Sequence, residues 1–331
     1  KIFTLLKGVA DADTTNVKAV FNYASHIVLE DYEEHEKYAL MALRHCQEND
    51  FLKALIYFSL ASQYVGLSEI DKAESHLLKA VEEGEKLRRK DALLTAKSYL
   101  HSFYCYLGEY EQAAALSASL YAVIDTVAAY WGNEAKVWVE KANLDVEMAQ
   151  IAVAHNDFES AENKIASAYQ LGQKYKDADG IYSLQSFADL LTKIVLVYEA
   201  AERPDLQEKY MKEQVGLYET LYEQRLSVFL KKLFESYNNL SDYLVSAQRL
   251  DEARPYIDKA QGLACILEAN YASSASIYLM VFYDTMAHYW EQRGDAANTK
   301  EYATKCMTHF KKLPTELQES YEEVRNYWNK Q

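Results

Sequence analysis

The chain has 331 residues at 38.0 kDa, half of them apolar and about a quarter charged, with only ten Gly and three Pro. So few breakers exclude an architecture of many short strands and tight turns, and this much apolar content excludes a disordered chain. Lys plus Arg at 35 against Asp plus Glu at 50 leaves a net charge of −15, which repels phosphate backbones and anionic headgroups, so no nucleic acid is expected to bind this segment.

The sequence opens at Lys1 without a charged leader and apolar core, and its start is read as processed or cut. Helical periodicity then recurs, punctuated by a phrase in which a turn residue precedes an aromatic or aliphatic residue and then a small one. The phrase is weak at Asp31-Tyr32-Glu33-Glu34-His35 and clear at Ser68-Glu69-Ile70-Asp71-Lys72-Ala73 and Gly108-Glu109-Tyr110-Glu111-Gln112-Ala113. It returns at Asn156-Asp157-Phe158-Glu159-Ser160-Ala161, weakly at Pro204-Asp205-Leu206-Gln207-Glu208-Lys209, at Arg249-Leu250-Asp251-Glu252-Ala253, and opens again at Gly294-Asp295-Ala296. The small-residue positions fall at 35, 73, 113, 161, 209, 253 and 299, so the spacings are 38, 40, 48, 48, 44 and 46.

A periodic segment stands on either side of each phrase, as with Tyr57, Leu60, Ala61 and Tyr64 before Ala73 and with Leu77, Ala80 and Val81 after it. Each phrase is therefore read as the elbow of a helical hairpin. Gly108 and Gly294 suit the left-handed conformation that ends a helix, and Asp157, Asp251 and Asp295 suit the cap that starts the next. Ala73, Ala113, Ala161 and Ala253 are placed where two helix axes approach most closely.

Between the elbows, Ala113 to Trp131 contains no Lys or Arg, but it is rich in Ala and Ser and carries Asp125, so it is read as a packed helix with no membrane insertion. Cys46, Cys105, Cys265 and Cys306 form no CxxC pair and are read as small buried hydrophobes. Near the end, Pro314 breaks the last hairpin, and Thr315 with Gln318 has the spacing of a capping box. The helix it would start carries one apolar stripe, Leu317, Tyr321, Val324 and Trp328, and is expected to cap the stack or lead to a partner segment.

The offsets of 12 and 7 from Ala61 to Ala73 to Ala80, repeated at Ala149, Ala161 and Ala168 and in part at Ala253 and Ala260, resemble the tetratricopeptide repeat (TPR). Most spacings exceed the 34 residues of that repeat, which implies longer arms. The opening stretch Asp11 to Ala24, with Tyr32 to Gln47 and the first full hairpin, resembles the start of repeat modules in bacterial sensor histidine kinases and related transcription regulators. In those proteins the repeats form an exported sensing region, which implies a periplasmic sensor region rather than a cytoplasmic one.

The TPR resemblance implies a concave groove lined by four positions of each inner helix. Counting back from the small-residue markers gives Asn143, Val146, Gln150 and Val153; then Leu191, Ile194, Tyr198 and Ala201; then Glu235, Asn238, Asp242 and Val245; then Val281, Asp284, His288 and Glu291. Asn238 with Asp242, and Asp284 with His288, stand four apart and so share a helix face. They suit a peptide backbone and a basic or amino-terminal group; the plainer alternative is a solvated acidic face. The ligand candidates are Asn143, Gln150, Tyr198, Glu235, Asn238, Asp242, Asp284, His288 and Glu291.

No phosphate loop, nucleophile elbow, HExxH or EF-hand spacing is present, so no catalytic residue, cofactor or metal is expected, and His288 with scattered carboxylates lacks a closed metal shell. The 28 tyrosines recur at helical spacing and suit half-wet seams between hairpins. The reading is an all-α solenoid, a right-handed superhelix of about seven TPR-like hairpins over 1–314, with a capping or linker helix at 315–331. Its expected function is non-catalytic protein or peptide binding in the ligand-sensing region of a bacterial signalling or regulatory protein. The alternatives are a stand-alone adaptor for complex assembly and a peptide-pheromone-type receptor; a homodimer is compatible with each.

Overall fold

The computed structural model describes residues 2–27, 31–48, 50–132, 134–178, 180–271 and 275–329, which are helical apart from short connections and contain no strand. They form two compact units, Lys1–Lys174 and Tyr175–Gln331. The first holds α1 (Ile2–Ala12) and the hairpins α2 (Val17–Ile27) with α3 (Tyr32–His45), α4 (Phe51–Gly66) with α5 (Ile70–Lys86), α6 (Asp91–Leu107) with α7 (Tyr110–Trp131), and α8 (Glu134–Ala154) with α9 (Phe158–Tyr175), whose last residue belongs to the second unit. The second holds α10 (Gly180–Ala200) with α11 (Pro204–Gln224), α12 (Leu226–Ser246) with α13 (Leu250–Tyr271), and α14 (Ser276–Gln292) with α15 (Ala296–Phe310), followed by α16 (Thr315–Ser320) and α17 (Glu322–Trp328).

One backbone device makes six of the elbows. Ser68, Gly108, Asn156, Glu202, Gln248 and Gly294 all have φ between 53° and 76°. The amide after each reaches back to a carbonyl five residues upstream: Glu69 to Tyr64, Glu109 to Tyr104, Asp157 to Ala152, Arg203 to Tyr198, Arg249 to Leu244 and Asp295 to Trp290, at 2.8–3.0 Å. This is a Schellman turn, which satisfies carbonyls that the helix end leaves open. Glycine adopts this conformation without strain, whereas the other four side chains crowd the following carbonyl. Gln248→Gly is therefore expected to raise the unfolding free energy by about 0.5–1 kcal/mol, read as a higher denaturant midpoint at unchanged slope.

The common elbow corrects the register in two places. Asp157 and Asp295 cap as expected, accepting the amides of Ser160 and Asn298 at 3.1 and 3.0 Å. Asp251 does not, because Arg249 holds the cap position and Asp251 lies in the first turn, bonded to Arg293. In the Pro204 copy the left-handed residue is Glu202, so the position equivalent to Ala161 is Gln207 and not the exposed Lys209. Proline at the first helical position costs no hydrogen bond there, which lets Pro204 stand where the other elbows have Ile70, Tyr110 or Phe158.

Ala73, Ala113, Ala161 and Ala253 are buried, as their place at close helix contacts requires. A still closer approach occurs at Gly84, where an added Cβ would stand 2.9 Å from the Leu93 Cα. By length and composition, α7 and α10 could each cross a membrane. In α7 the buried stripe Leu120, Ile124 and Val127 packs with Leu93, Leu94 and Leu144 in one core cluster. Among the cysteines, Cys105 and Cys306 are buried, but Cys46 is half-buried and Cys265 exposed, so the expectation of burial fails for the last.

The tyrosines and the acidic excess answer each other across helix seams. Tyr23 donates to Glu34, Tyr64 to Glu36, Tyr104 to Glu74, Tyr218 to Asp189, Tyr237 to Glu219 and Tyr283 to Glu268, at 2.5–2.8 Å. Each pair buries a ring while satisfying both polar ends. Burial and the neighbouring carboxylate together push Tyr23 and Tyr104 up to about 12.

Candidate functional site

In the second unit, α12 and α14 lie side by side. The Phe234 and Phe282 rings meet at 5.4 Å across the seam. Beside it run two parallel stripes, Glu235, Asn238 and Asp242 on α12 and Val281, Asp284, His288 and Glu291 on α14, spaced by three and four residues so that each stripe keeps to one face. These are the positions counted from Ala253 and Thr299, both of which occupy the marker position of a regular elbow.

The stripes are joined by Thr285, whose hydroxyl is 3.3 Å from Asp242 Oδ1 and 3.2 Å from the Val281 carbonyl. One hydroxyl proton serves only one of these at a time, so Asp242 is incompletely satisfied. Asp242 is open to water, yet the protein around it displaces solvent and holds its carboxyl above the usual range, with the Asp284 charge adding to the effect. Burial likewise raises Asp284 against the Trp328 hydrogen bond and His288, and raises Glu235 against Lys232 and Lys231. Among the described residues no Lys or Arg pairs with Asp242 or Asp284; His288 Nε2, at 3.8 Å from Asp284 Oδ1, is the nearest basic group.

Asn238 is 3% exposed, and its Oδ1 has no hydrogen-bond partner. An orphaned buried carbonyl costs about 1–3 kcal/mol. The residue lines a cleft of about 300 Å3 with Glu235, Ile277, Tyr278, Val281 and Tyr321. Asp284, His288 and Glu291 are met by α17. Trp328 Nε1 donates to Asp284, the Tyr327 hydroxyl lies 2.8 and 3.0 Å from the two Glu291 oxygens, and His288 Nδ1 is 3.2 Å from Glu291 Oε2.

The remaining candidates separate from this cluster. Asn143 and Gln150 are half-buried on α8 of the first unit. Tyr198 is buried, with its ring stacked on Tyr210 at 5.6 Å and its carbonyl accepting the elbow amide of Arg203. Its selection came from the marker at Lys209, two residues too far along. Counting from Gln207 gives Asp189, Thr192, Leu196 and Glu199, of which the last three are exposed, whereas Leu191, Ile194 and Tyr198 are core. Aligning Glu202-Arg203-Pro204 with Asn156-Asp157-Phe158 recovers this from the sequence.

The sequence reading also missed His101, Cys105 and Glu147, whose donor atoms lie within 4.8 Å of one another. His101 Nδ1 is 2.7 Å from Glu147 Oε2 and Nε2 is 3.0 Å from Ser117 Oγ, while Ser102 donates to the other Glu147 oxygen at 2.6 Å. Both ring nitrogens are thus occupied within a hydrogen-bond network that joins α6, α7 and α8. The i,i+4 spacing of His101 and Cys105 was its only trace in the sequence, since Glu147 arrives from another hairpin.

The predicted α16 cap also differs. Thr315 is the first helical residue rather than the cap, and Gln318 Nε2 donates to the Leu313 carbonyl at 2.8 Å, so no capping box forms. The helix expected to run through to Trp328 is interrupted at Tyr321.

No protein-family model and no curated protein matches the sequence. Solved structures do. A Signal Transduction ATPase with Numerous Domains (STAND) protein with a tetratricopeptide repeat sensor, PH0952 from Pyrococcus horikoshii, aligns over 98% of this chain and 46% of its own at 17% identity and a TM-score of 0.59. BtubC (BKLC) from P. vanneervenii aligns over 77% of this chain and 94% of its own at 18% identity and a TM-score of 0.52. The Assembly Chaperone of RpL4 (Acl4) aligns over 85% and 98%, respectively, at 16% identity and the same TM-score of 0.52. The chain has a TPR-like, all-α helical-repeat fold.

Proposed function

We propose that this chain is a non-catalytic protein-interaction module whose α12–α14 face takes a protein or peptide segment bearing a Lys, Arg or amino-terminal group. The observation that carries the reading is the juxtaposition of Asp242 and Asp284, without a Lys or Arg partner, and the unpaired carbonyl of buried Asn238. An arriving cation restores the charge-assisted contacts these carboxylates lack, and an arriving N–H satisfies Asn238.

The finer reading is a ligand-sensing region of a bacterial signalling protein. The sensing part of that reading is supported by the likeness to PH0952, described as having a tetratricopeptide repeat sensor; the chain spans less than half of PH0952, and so the activity of that whole protein is not carried over. An assembly adaptor is supported by the likeness to Acl4, described as an assembly chaperone. Both use the same face and differ in what binding sets in motion.

Fluorescence anisotropy with two labelled peptides, alike except that one carries Lys and Arg where the other carries Glu, tests the charge preference. The basic peptide is expected to bind at least tenfold more tightly and to weaken as salt is raised. Equal binding, or preference for the acidic peptide, would remove the reading.

A further inference from the structure

The α16–α17 segment meets the α14 stripe with polar donors, not merely with an apolar covering. Trp328 is almost fully buried and places its indole N–H on Asp284, while Tyr327, still 41% exposed, places its hydroxyl on Glu291. The His288 ring lies 4.8 Å from the Tyr327 ring and 4.7 Å from that of Trp328. Seven residues earlier in the chain, Tyr321 forms a wall of the cleft that holds the unpaired Asn238. Thus α17 follows α14 in the same direction and occupies part of the face assigned above to an external ligand.

The segment is also weakly self-supporting. Neither α16 nor α17 has a side-chain cap at its start, and the two span only six and seven residues, far below the length at which an isolated helix holds in water. On its other side Trp328 borders an open cleft of about 690 Å3 along α15, lined by Lys300, Met307 and Lys311.

We infer that residues 315–328 are an in-chain occupant of this site, that an external ligand binds by displacing Tyr327 and Trp328, and that the α14 end of the site fits a helix end with two adjacent aromatic residues, one an N–H donor. The inference rests on the binding reading above, and the test separates the two. A synthetic peptide of residues 312–329 is titrated by calorimetry against the wild-type chain and the Tyr327→Ala/Trp328→Ala variant, with the basic peptide titrated in parallel. The segment peptide is expected to bind the variant at least tenfold more tightly than the wild type, and the basic peptide is expected to gain as well.

Equal affinity of the segment peptide for both proteins, or no binding to the variant, overturns the inference. If the basic peptide binds both proteins equally, the binding reading stands and displacement falls. If only the segment peptide discriminates and the basic peptide binds neither, the inference about the aromatic pair stands and the choice of a basic ligand falls. Should the double variant lose its helical circular dichroism, Trp328→Phe keeps the ring and removes the donor; it is expected to show a smaller gain of about threefold, and no gain overturns the inference.

Discussion

Phe282→Ala is expected to lower the unfolding free energy by about 3–5 kcal/mol. The ring is fully buried, crosses the seam to Phe234 at 5.4 Å and packs on Tyr283 at 5.5 Å. Its removal opens a cavity between helices of successive hairpins, where neighbouring side chains are tied by their own backbone and close the gap only in part. Loosening at this point also frees α14 relative to α12, so the two stripes lose their mutual register. Denaturant unfolding of the variant, set beside the exposed Leu196→Ala, measures the effect; the control is expected to stay within about 0.5 kcal/mol of the wild type. A cost below about 1 kcal/mol for Phe282→Ala would mean that the seam is not packed as described.

Asp242→Asn with Asp284→Asn is expected to weaken binding of the basic peptide by about a hundredfold or more, since a hydrogen bond to a charged group is worth about 1.5–3 kcal/mol. Stability moves the opposite way. A carboxyl whose pKa is raised in the folded state burdens that state at neutral pH, and the burden is relieved as pH falls through the raised value. Asparagine removes the charge while keeping an oxygen for Thr285 and for the Trp328 indole, so the thermal midpoint is expected to rise slightly as affinity is lost. A binding surface often trades stability for function in this direction. The pH profile has the same origin. Because the protein around Asp242 and Asp284 displaces solvent and holds both carboxyls above the ordinary value of about 4, their protonation begins at a higher pH, and wild-type affinity for a basic ligand is expected to decline on acidification before a fully solvated Asp would titrate. Retention of full affinity by the double variant would show that these carboxylates do not touch the ligand.

The elbows were legible because their chemistry is local. A left-handed residue, a cap position and a plug residue lie within three positions, so Ser68, Asn156 and Gly294 announced them, and the count of seven hairpins followed. The small residues at 73, 113, 161 and 253 were legible for a related reason, since close helix contact admits little else. Counting from Ala253 and Thr299 aligns Glu235, Asn238 and Asp242 on α12 and Asp284, His288 and Glu291 on α14, but it also selects Val245, which is core. Tyr198 was misplaced because Pro204 replaces the usual plug and Glu202 carries no glycine-like signature, so the register slipped by two and three of the four projected positions, Leu191, Ile194 and Tyr198, fell in the core.

What could not be read is set by partners distant in sequence. Glu147 reaches His101 across 46 residues, and Trp328 reaches Asp284 across 44. The stripe Leu317, Tyr321, Val324 and Trp328 signalled one covered side of the last helix, but its polar contacts to α14 depend on the fold bringing the two together. The tyrosine spacing points to seam packing, but the pairing with Glu and Asp depends on which helices the fold sets side by side. In each case the residue types were visible while the juxtaposition was not.

Hydrogen–deuterium exchange on the full chain, with and without saturating basic peptide, tests the central claim most directly. Slower exchange in α12 and α14 together with faster exchange across residues 315–328 is the result predicted for a ligand seated on Asn238, Asp242 and Asp284. Protection confined to the first unit, or to α13 and α15 with α12 and α14 unchanged, would contradict it.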